Sequence, residues 1–171
     1  DHWATLNADR LGVARPKGVR AIAPVGTIGI LAETTTSGEP LFCAAYMRRY
    51  FKDQKWHVQY VIDGCAKRLM DAGVSEELID QSDAYSLTFE QRVKFQADLQ
   101  DYVDMSISST CNIAPWGSDA NNLINVKEKE EILMKYAKRL RGFTMYPDGC
   151  RSGQPLTKVT IAEARSKEGM V

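Results

Sequence analysis

An α/β fold is the class this sequence predicts, and three observations lead there. Short runs rich in aromatic and β-branched residues recur along the chain, as strands require. Capped, helically spaced stretches recur between them. The two kinds of segment alternate, which is the pattern of sheets covered by helices. With 171 residues, 44% of them hydrophobic and 26% charged, the chain has the size and profile of one ordinary globular domain or of part of a larger one.

The elements follow in order. "HWATLNADRLG" predicts a short helix stopped by Gly12. "GVRAIAP", Gly18 to Pro24, predicts a short buried strand that ends at Pro24, because proline has no N–H for the ladder. "EPLFCAAYMRRYFKD" and "KWHVQYVID" predict two extended segments joined by a turn at the polar "KDQ". "DGCAKRLMDAG" predicts a helix with Cys65, Leu69 and Ala72 on one side and Gly73 as its stop. "SEELIDQ" predicts another, with Ser75 as N-cap. Thr88 and Gln91 fit a capping box, and Phe89, Val93, Leu99, Tyr102 and Val103 continue at helical spacing with Gln96 as a polar interruption. Residues 104–116 read as a loop marked by Pro115 and Trp116, with Trp116 as its anchor. "NVKEKEEILMKYAKRLRG" predicts a helix capped by Asn125, with Glu128 at the box position and Gly142 as its stop. "FTMY" predicts a short strand, followed by the turn "PDG". "KEKEE" reads as a solvated helix face, Arg48 and Arg49 as an exposed strand end, and His57 as a packing or solvent residue.

Composition excludes several classes. Lys plus Arg and Asp plus Glu are both 22. Zero formal charge argues against direct nucleic-acid binding or membrane-surface binding, both of which want a positive field. No apolar run approaches the roughly 20 residues of a membrane span. Cys43, Cys65, Cys111 and Cys150 are far apart, and with only His2 and His57 beside them they make no zinc pattern. They read as reduced thiols of a cytoplasmic protein. No signal-peptide pattern is present. Both ends, Asp1 and "SKEGMV", read as cut from something longer.

The chemistry-bearing stretch is "APVGTIGILAETTTSGEP", residues 23–40. A strand ending in Pro24-Val25-Gly26-Thr27 leaves free backbone N–H groups, and Gly26 lets a ligand approach the backbone. If a helix follows, its dipole and free amides make an anion site, with Thr27 and residues 34–37 as further hydroxyl donors. The stretch carries neither a Walker loop nor GxGxxG. From the residues alone, a phosphate cradle and a plain Gly/Thr turn both remain open.

"IAPVGTIGILAETTTSGEPLF" resembles the phosphate-binding segment of ribonucleotide reductase large chains. "YVDMSISSTCNIA", residues 102–114, is similar to the family's Val-Asp-x-Ser-Ile-Ser-x-Thr-x-Asn segment, and "LRGFTMYPDGCRSGQPL", residues 140–156, to its Gly-x-Thr-x-Tyr-x-Asp-Gly-Ser-Arg-x-Gly-Gln-Pro segment. The three occur in the family's order, over about residues 3–160, and the last has the form of the adenosylcobalamin-dependent, class II branch. Val25 departs from the usual Thr or Ser, and Cys111 and Cys150 stand where apolar or hydroxyl residues are more usual.

The resemblance implies a C-terminal segment of the family's ten-stranded α/β barrel, one partial domain over residues 1–171. It implies that Pro24, Val25, Gly26, Thr27 and Ile28 hold the phosphates of a ribonucleoside di- or triphosphate, and that Tyr146 lines the site. It also shows what is missing. The family's radical cysteine lies in an Asn-x-Cys-x-x-Glu motif, but the residues two before the cysteines here are Leu41, Asp63, Ser109 and Asp148. No cysteine follows Cys150 to make the family's terminal redox pair. No catalytic residue is therefore assigned, and the chain alone is expected to be inactive. The N-terminal portion of the enzyme, as a separate chain, and adenosylcobalamin bound mainly outside this one would complete it. The alternatives are a non-catalytic phosphate-binding module and an inactive structural remnant.

Overall fold

The computed structural model describes residues 1–150 and 156–168. The chain begins with α1, His2–Leu11, stopped by Gly12 in the left-handed conformation at φ 64°. Residues 18–24 do not form the expected buried strand. Ile22 makes an isolated parallel bridge to Ile107, and most side chains around it are exposed. One bridge cannot continue because Pro24 lacks a donor and the chain turns at once into α2, Gly26–Leu31.

β1, Ala45–Lys52, and β2, Lys55–Ile62, form the expected antiparallel hairpin, in register from Ala45↔Ile62 to Lys52↔Lys55. The two turn residues, Asp53 and Gln54, have φ of 51° and 60°, the left-handed pair that matches strand twist in a two-residue hairpin. Near the tip the side chains stack in pairs: Tyr50 on His57, Arg49 over Trp56.

α3, Gly64–Asp71, starts at Asp63, whose carboxylate accepts from the Cys65 amide. α4, Glu76–Asp80, is capped by Ser75 as expected. α5, Phe89–Gln100, opens with the full Thr88–Gln91 capping box. Its polar interruption, Gln96, is buried and donates to the Gly142 carbonyl at 2.7 Å.

The stretch read as a loop contains β3, Thr110–Ile113. It pairs in parallel with β4, Thr144–Pro147. α6, Leu123–Tyr136, and a 3-10 turn, Ala137–Arg139, cross over between them, as parallel pairing demands. The cap of α6 is Asn122 rather than Asn125; Asn125 sits three residues later and completes the box from the inside. The helix ends at Tyr136, six residues before Gly142. Trp116, expected as a loop anchor, is 59% exposed.

β5, Leu156–Val159, and α7, Ile161–Ser166, have no counterpart in the sequence reading. β5 adds antiparallel to β1 and completes the sheet order β2-β1-β5. Residues 151–155, part of the third motif, lie outside the described residues.

Two apolar clusters hold this together. One joins Ala44 and Ala45 of β1 to Ala66, Ile79, Ile161 and Ala164. The other packs Val93 and Ala97 of α5 against Tyr136 of α6. Each is small, and large apolar side chains stay uncovered elsewhere: Leu31 is 84% exposed, Leu123 80% and Ile124 86%.

Candidate phosphate-binding site

The stretch at 23–40 folds as a short helix lying on its own hydroxyl-rich continuation. Val25 is the N-cap of α2 and supplies no side-chain cap. Gly26, Thr27 and Ile28 are therefore the first three helical residues, and their amides have no acceptor within the helix. Pro24 and Gly26 are exposed, Val25 is half-buried, and Ile28 is 68% exposed. The Thr27 hydroxyl, expected as a donor, lies outside the described atoms. A Cβ added at Gly26 would meet nothing within 4 Å among the described residues. A helix does begin here, at Gly26 inside the Pro-Val-Gly-Thr stretch rather than after it, and without the expected strand in front of it.

The back of α2 is closely packed. A Cβ at Gly29 would stand 3.0 Å from both the Thr35 carbonyl oxygen and the Thr36 Cα. The Val25 amide donates to the Thr36 carbonyl at 2.9 Å and the Thr34 amide to the Gly29 carbonyl at 3.0 Å. These bonds fold residues 34–36 under the helix. The Thr36 hydroxyl then donates to Glu39 at 2.7 Å, and the other Glu39 oxygen accepts from the Thr110 amide at the start of β3, at 2.8 Å. Residues 26–32 and 34–38 contain no Lys or Arg. The Thr35 and Ser37 hydroxyls also donate inside the loop, to the Ser37 and Thr36 carbonyls, so an anion at this helix end would meet amide dipoles.

A cleft of about 350 Å³ opens behind α2. Residues 34–36 line it together with Glu39, Tyr46, Asp63, and Thr110 and Asn112 of β3. Tyr146, the remaining expected site residue, is half-buried on β4 and pairs in register with Asn112. The structure thus gathers Pro24 to Ile28 at one helix end and puts Tyr146 on the strand beside a wall of the cleft behind it.

The thiols near this cleft are not poised for reaction. Cys43, on its wall, is pushed up to about 12, first by burial and then by the Asp83 charge. Burial also raises Cys111, against the lowering effect of the Arg92 guanidinium. Burial and then Asp63 raise the Tyr46 phenol. Among the described residues, no group of three or more His, Cys, Asp or Glu could hold a metal ion. A second cleft of about 350 Å³ is apolar and lies where α6 meets the β3–β4 pair, lined by Ile113, Trp116, Leu133, Met134 and Met145.

Sequence reasoning missed the part of the site that depends on distant chain. Glu39 and Thr110 are 71 positions apart, and no local pattern links them. Gly29 carried no local signal either: Gly26, three residues before it, is open, and only the folded-back residues 35 and 36 make Gly29 a close-packed position.

The ribonucleotide reductase barrel-domain family model matches residues 12–146. The chain belongs to this family. It is 30% identical, over an alignment 192 positions long, to a vitamin B12-dependent ribonucleoside-diphosphate reductase of Thermoplasma acidophilum, covering 97% of this chain and 23% of that protein. It is 25% identical over 167 residues to the reductase of the same name from Mycobacterium tuberculosis, covering 86% of this chain and 23% of the relative. The crystal structure of a B12-dependent, class II ribonucleotide reductase has the same fold over 96% of this chain and 24% of its own length, with a TM-score of 0.65 at 13% identity. The chain therefore spans about a quarter of the length of the reductases it matches. It is a mixed α/β piece of the reductase barrel, as the three motifs implied. No helix among the described residues is long and apolar enough to cross a membrane.

Proposed function

We propose that this chain supplies the substrate-phosphate loop of a B12-dependent ribonucleotide reductase, which reduces ribonucleoside di- or triphosphates to deoxyribonucleotides. One observation carries the reading: α2 opens at Val25 with its first-turn amides unclaimed within the helix and an unobstructed Gly26. Oriented amides at a helix start favour phosphate oxygens. Holding the phosphates fixes where the ribose lies, which is catalysis by positioning. In this reading Pro24, Val25, Gly26, Thr27 and Ile28 bind, and Tyr146 lines the site. No residue of this chain breaks or makes a substrate bond.

The relatives are named for vitamin B12, and we extend adenosylcobalamin to the complete assembly. The clefts described above are sized for a small ligand and, among the described residues, neither fits a corrin. Its contacts fall mainly, and the reducing cysteines wholly, to the rest of the assembly, which we take to be a separate N-terminal chain. The exposed Leu31, Leu123 and Ile124 support a covering partner. We also propose that residues 1–171 act as one partial domain, in the cytoplasm, where the four cysteines stay reduced.

The test combines this chain with the N-terminal portion and adenosylcobalamin and measures deoxyribonucleotide formation. Activity that requires both chains and falls with Thr27→Ala supports the reading. A chain that binds ribonucleotides yet yields no product under any reconstitution is a binding module instead. Full activity of the Thr27→Ala assembly removes Thr27 from the loop.

A further inference from the structure

We propose that Glu39 is a positioning residue for the phosphate loop: its carboxyl group ties the segment beneath α2 to the start of β3 and so sets where the first-turn amides point. The proposal rests on the phosphate-loop reading and adds a residue that lines the cleft behind α2 and acts on the loop through Thr36 and Thr110.

The linkage runs through named bonds. The Val25 amide, at the helix cap, donates to the Thr36 carbonyl at 2.9 Å. The helix also rests on Thr36, because Gly29 leaves room for no more than a hydrogen there. Whatever holds Thr36 therefore holds the N-terminus of α2. Thr36 is held by Glu39: its hydroxyl donates to one carboxyl oxygen at 2.7 Å. The second oxygen accepts from the Thr110 amide at 2.8 Å. Thr110 is fixed in turn from α5, where the buried Arg92 donates to its carbonyl at 2.8 Å. Glu39 is the one side chain in this path that joins the loop to the β3–β4 pair, and β4 carries Tyr146.

A carboxyl group suits the task because it offers two acceptor oxygens to donors on different elements. Glutamine can do the same here. Its oxygen accepts from the Thr110 amide, while the Thr36 hydroxyl turns from donor to acceptor toward the side-chain NH₂. Alanine can replace neither bond. The aim of the first-turn amides decides how well they meet phosphate oxygens, so the position of this loop bears on binding as well as on stability.

The experiment uses the complete reductase that contains this chain, with Glu39→Ala, Glu39→Gln and Thr36→Val. KM and kcat are measured for a ribonucleoside diphosphate, and inhibition constants for the corresponding unphosphorylated nucleoside. Glu39→Ala is expected to raise KM about tenfold, the scale of one or two lost hydrogen bonds, with a smaller change in kcat and none in nucleoside inhibition. Glu39→Gln is expected to remain close to the unmodified enzyme, and Thr36→Val to follow Glu39→Ala. The proposal is overturned if Glu39→Ala leaves KM unchanged, or if Glu39→Gln is as impaired as Glu39→Ala. It is also overturned if diphosphate and nucleoside are weakened equally, which marks a general loss of structure. If the unmodified enzyme itself does not distinguish diphosphate from nucleoside, the phosphate-loop reading falls and this proposal with it. If that preference exists and survives Glu39→Ala, only this proposal falls. Should Glu39→Ala fail to fold, Thr36→Val, which removes a single bond, decides the matter.

Discussion

Gly26 and Gly29 stand three residues apart in the same short helix, and replacing each by alanine separates ligand contact from packing. At Gly26 the new methyl group meets no described atom within 4 Å. Alanine is the better helix former by about 0.5–1 kcal/mol, so Gly26→Ala should leave stability unchanged or raise it by up to about 1 kcal/mol. At Gly29 the methyl group would come to 3.0 Å from the Thr35 carbonyl and the Thr36 Cα and 3.3 Å from the Thr36 Cγ2. Two of these are backbone atoms and cannot swing aside. Overpacking of this kind costs about 1–3 kcal/mol, and the helix-propensity gain offsets part of it, so a net loss of about 1–2 kcal/mol is expected. Function should show a different contrast. The methyl group at Gly26 occupies the approach to the free amides, and a lost charge-assisted bond to phosphate is worth about 1.5–3 kcal/mol, so KM should rise at least tenfold. The assay is urea unfolding of the complete reductase, followed in parallel with KM for a ribonucleoside diphosphate. A Gly26→Ala enzyme with unchanged KM refutes the claim that a ligand approaches there. A Gly29→Ala protein as stable as the parent refutes the packing of α2 on residues 35 and 36.

Other predictions follow from individual polar groups. Asp83, whose side chain is fully buried, pairs with Lys158 of β5 at 2.5 Å and accepts from the Tyr85 and Ser86 amides; Lys158 is partly exposed and can rehydrate, so Asp83→Ala should cost about 1–3 kcal/mol, chiefly by stranding those amides, read by urea unfolding. Gln96→Leu should cost about 1–3 kcal/mol by leaving the Gly142 carbonyl unsatisfied, in the same assay. Asp104 is held below its ordinary 3.8 chiefly by the Val19 amide, then by the Arg20 amide and charge. A lowered carboxyl pKa gives stability that is present above 3.8 and lost as pH falls through the folded value, so the attachment of residues 19–20 should loosen only in acid. Hydrogen exchange of those amides against pH checks this, and Asp104→Asn should abolish the dependence. Alkylation at pH 8, read by mass spectrometry, should label exposed Cys150 and spare Cys43 and Cys111 until unfolding.

Most of what is local in this fold was legible in the sequence. The Thr88–Gln91 box, the Ser75 cap, the Gly12 stop and the hairpin around Asp53 and Gln54 depend on residues within a few positions of one another. β3 was hidden because "TCNI" becomes a strand only through parallel pairing with β4, across the whole of α6. The strand expected at residues 18–24 fails for the complementary reason: its composition suits a strand, but Ile107 offers a single bridge and no ladder. Gln96 looked like a flaw in an apolar face, and its burial makes sense only with the Gly142 carbonyl beside it. At the candidate site, Pro24 to Ile28 stood out by composition and resemblance, whereas Glu39 acquires a role only when folding brings Thr110 to it.

The claim that the first-turn amides of α2 hold the substrate phosphates is tested most directly by hydrogen exchange on the complete reductase, with and without nucleotide. The account predicts that a ribonucleoside diphosphate slows exchange at Gly26, Thr27 and Ile28, and that the unphosphorylated nucleoside does not. Exchange at these three amides that is unchanged at saturating diphosphate, or slowed equally by the nucleoside, contradicts it.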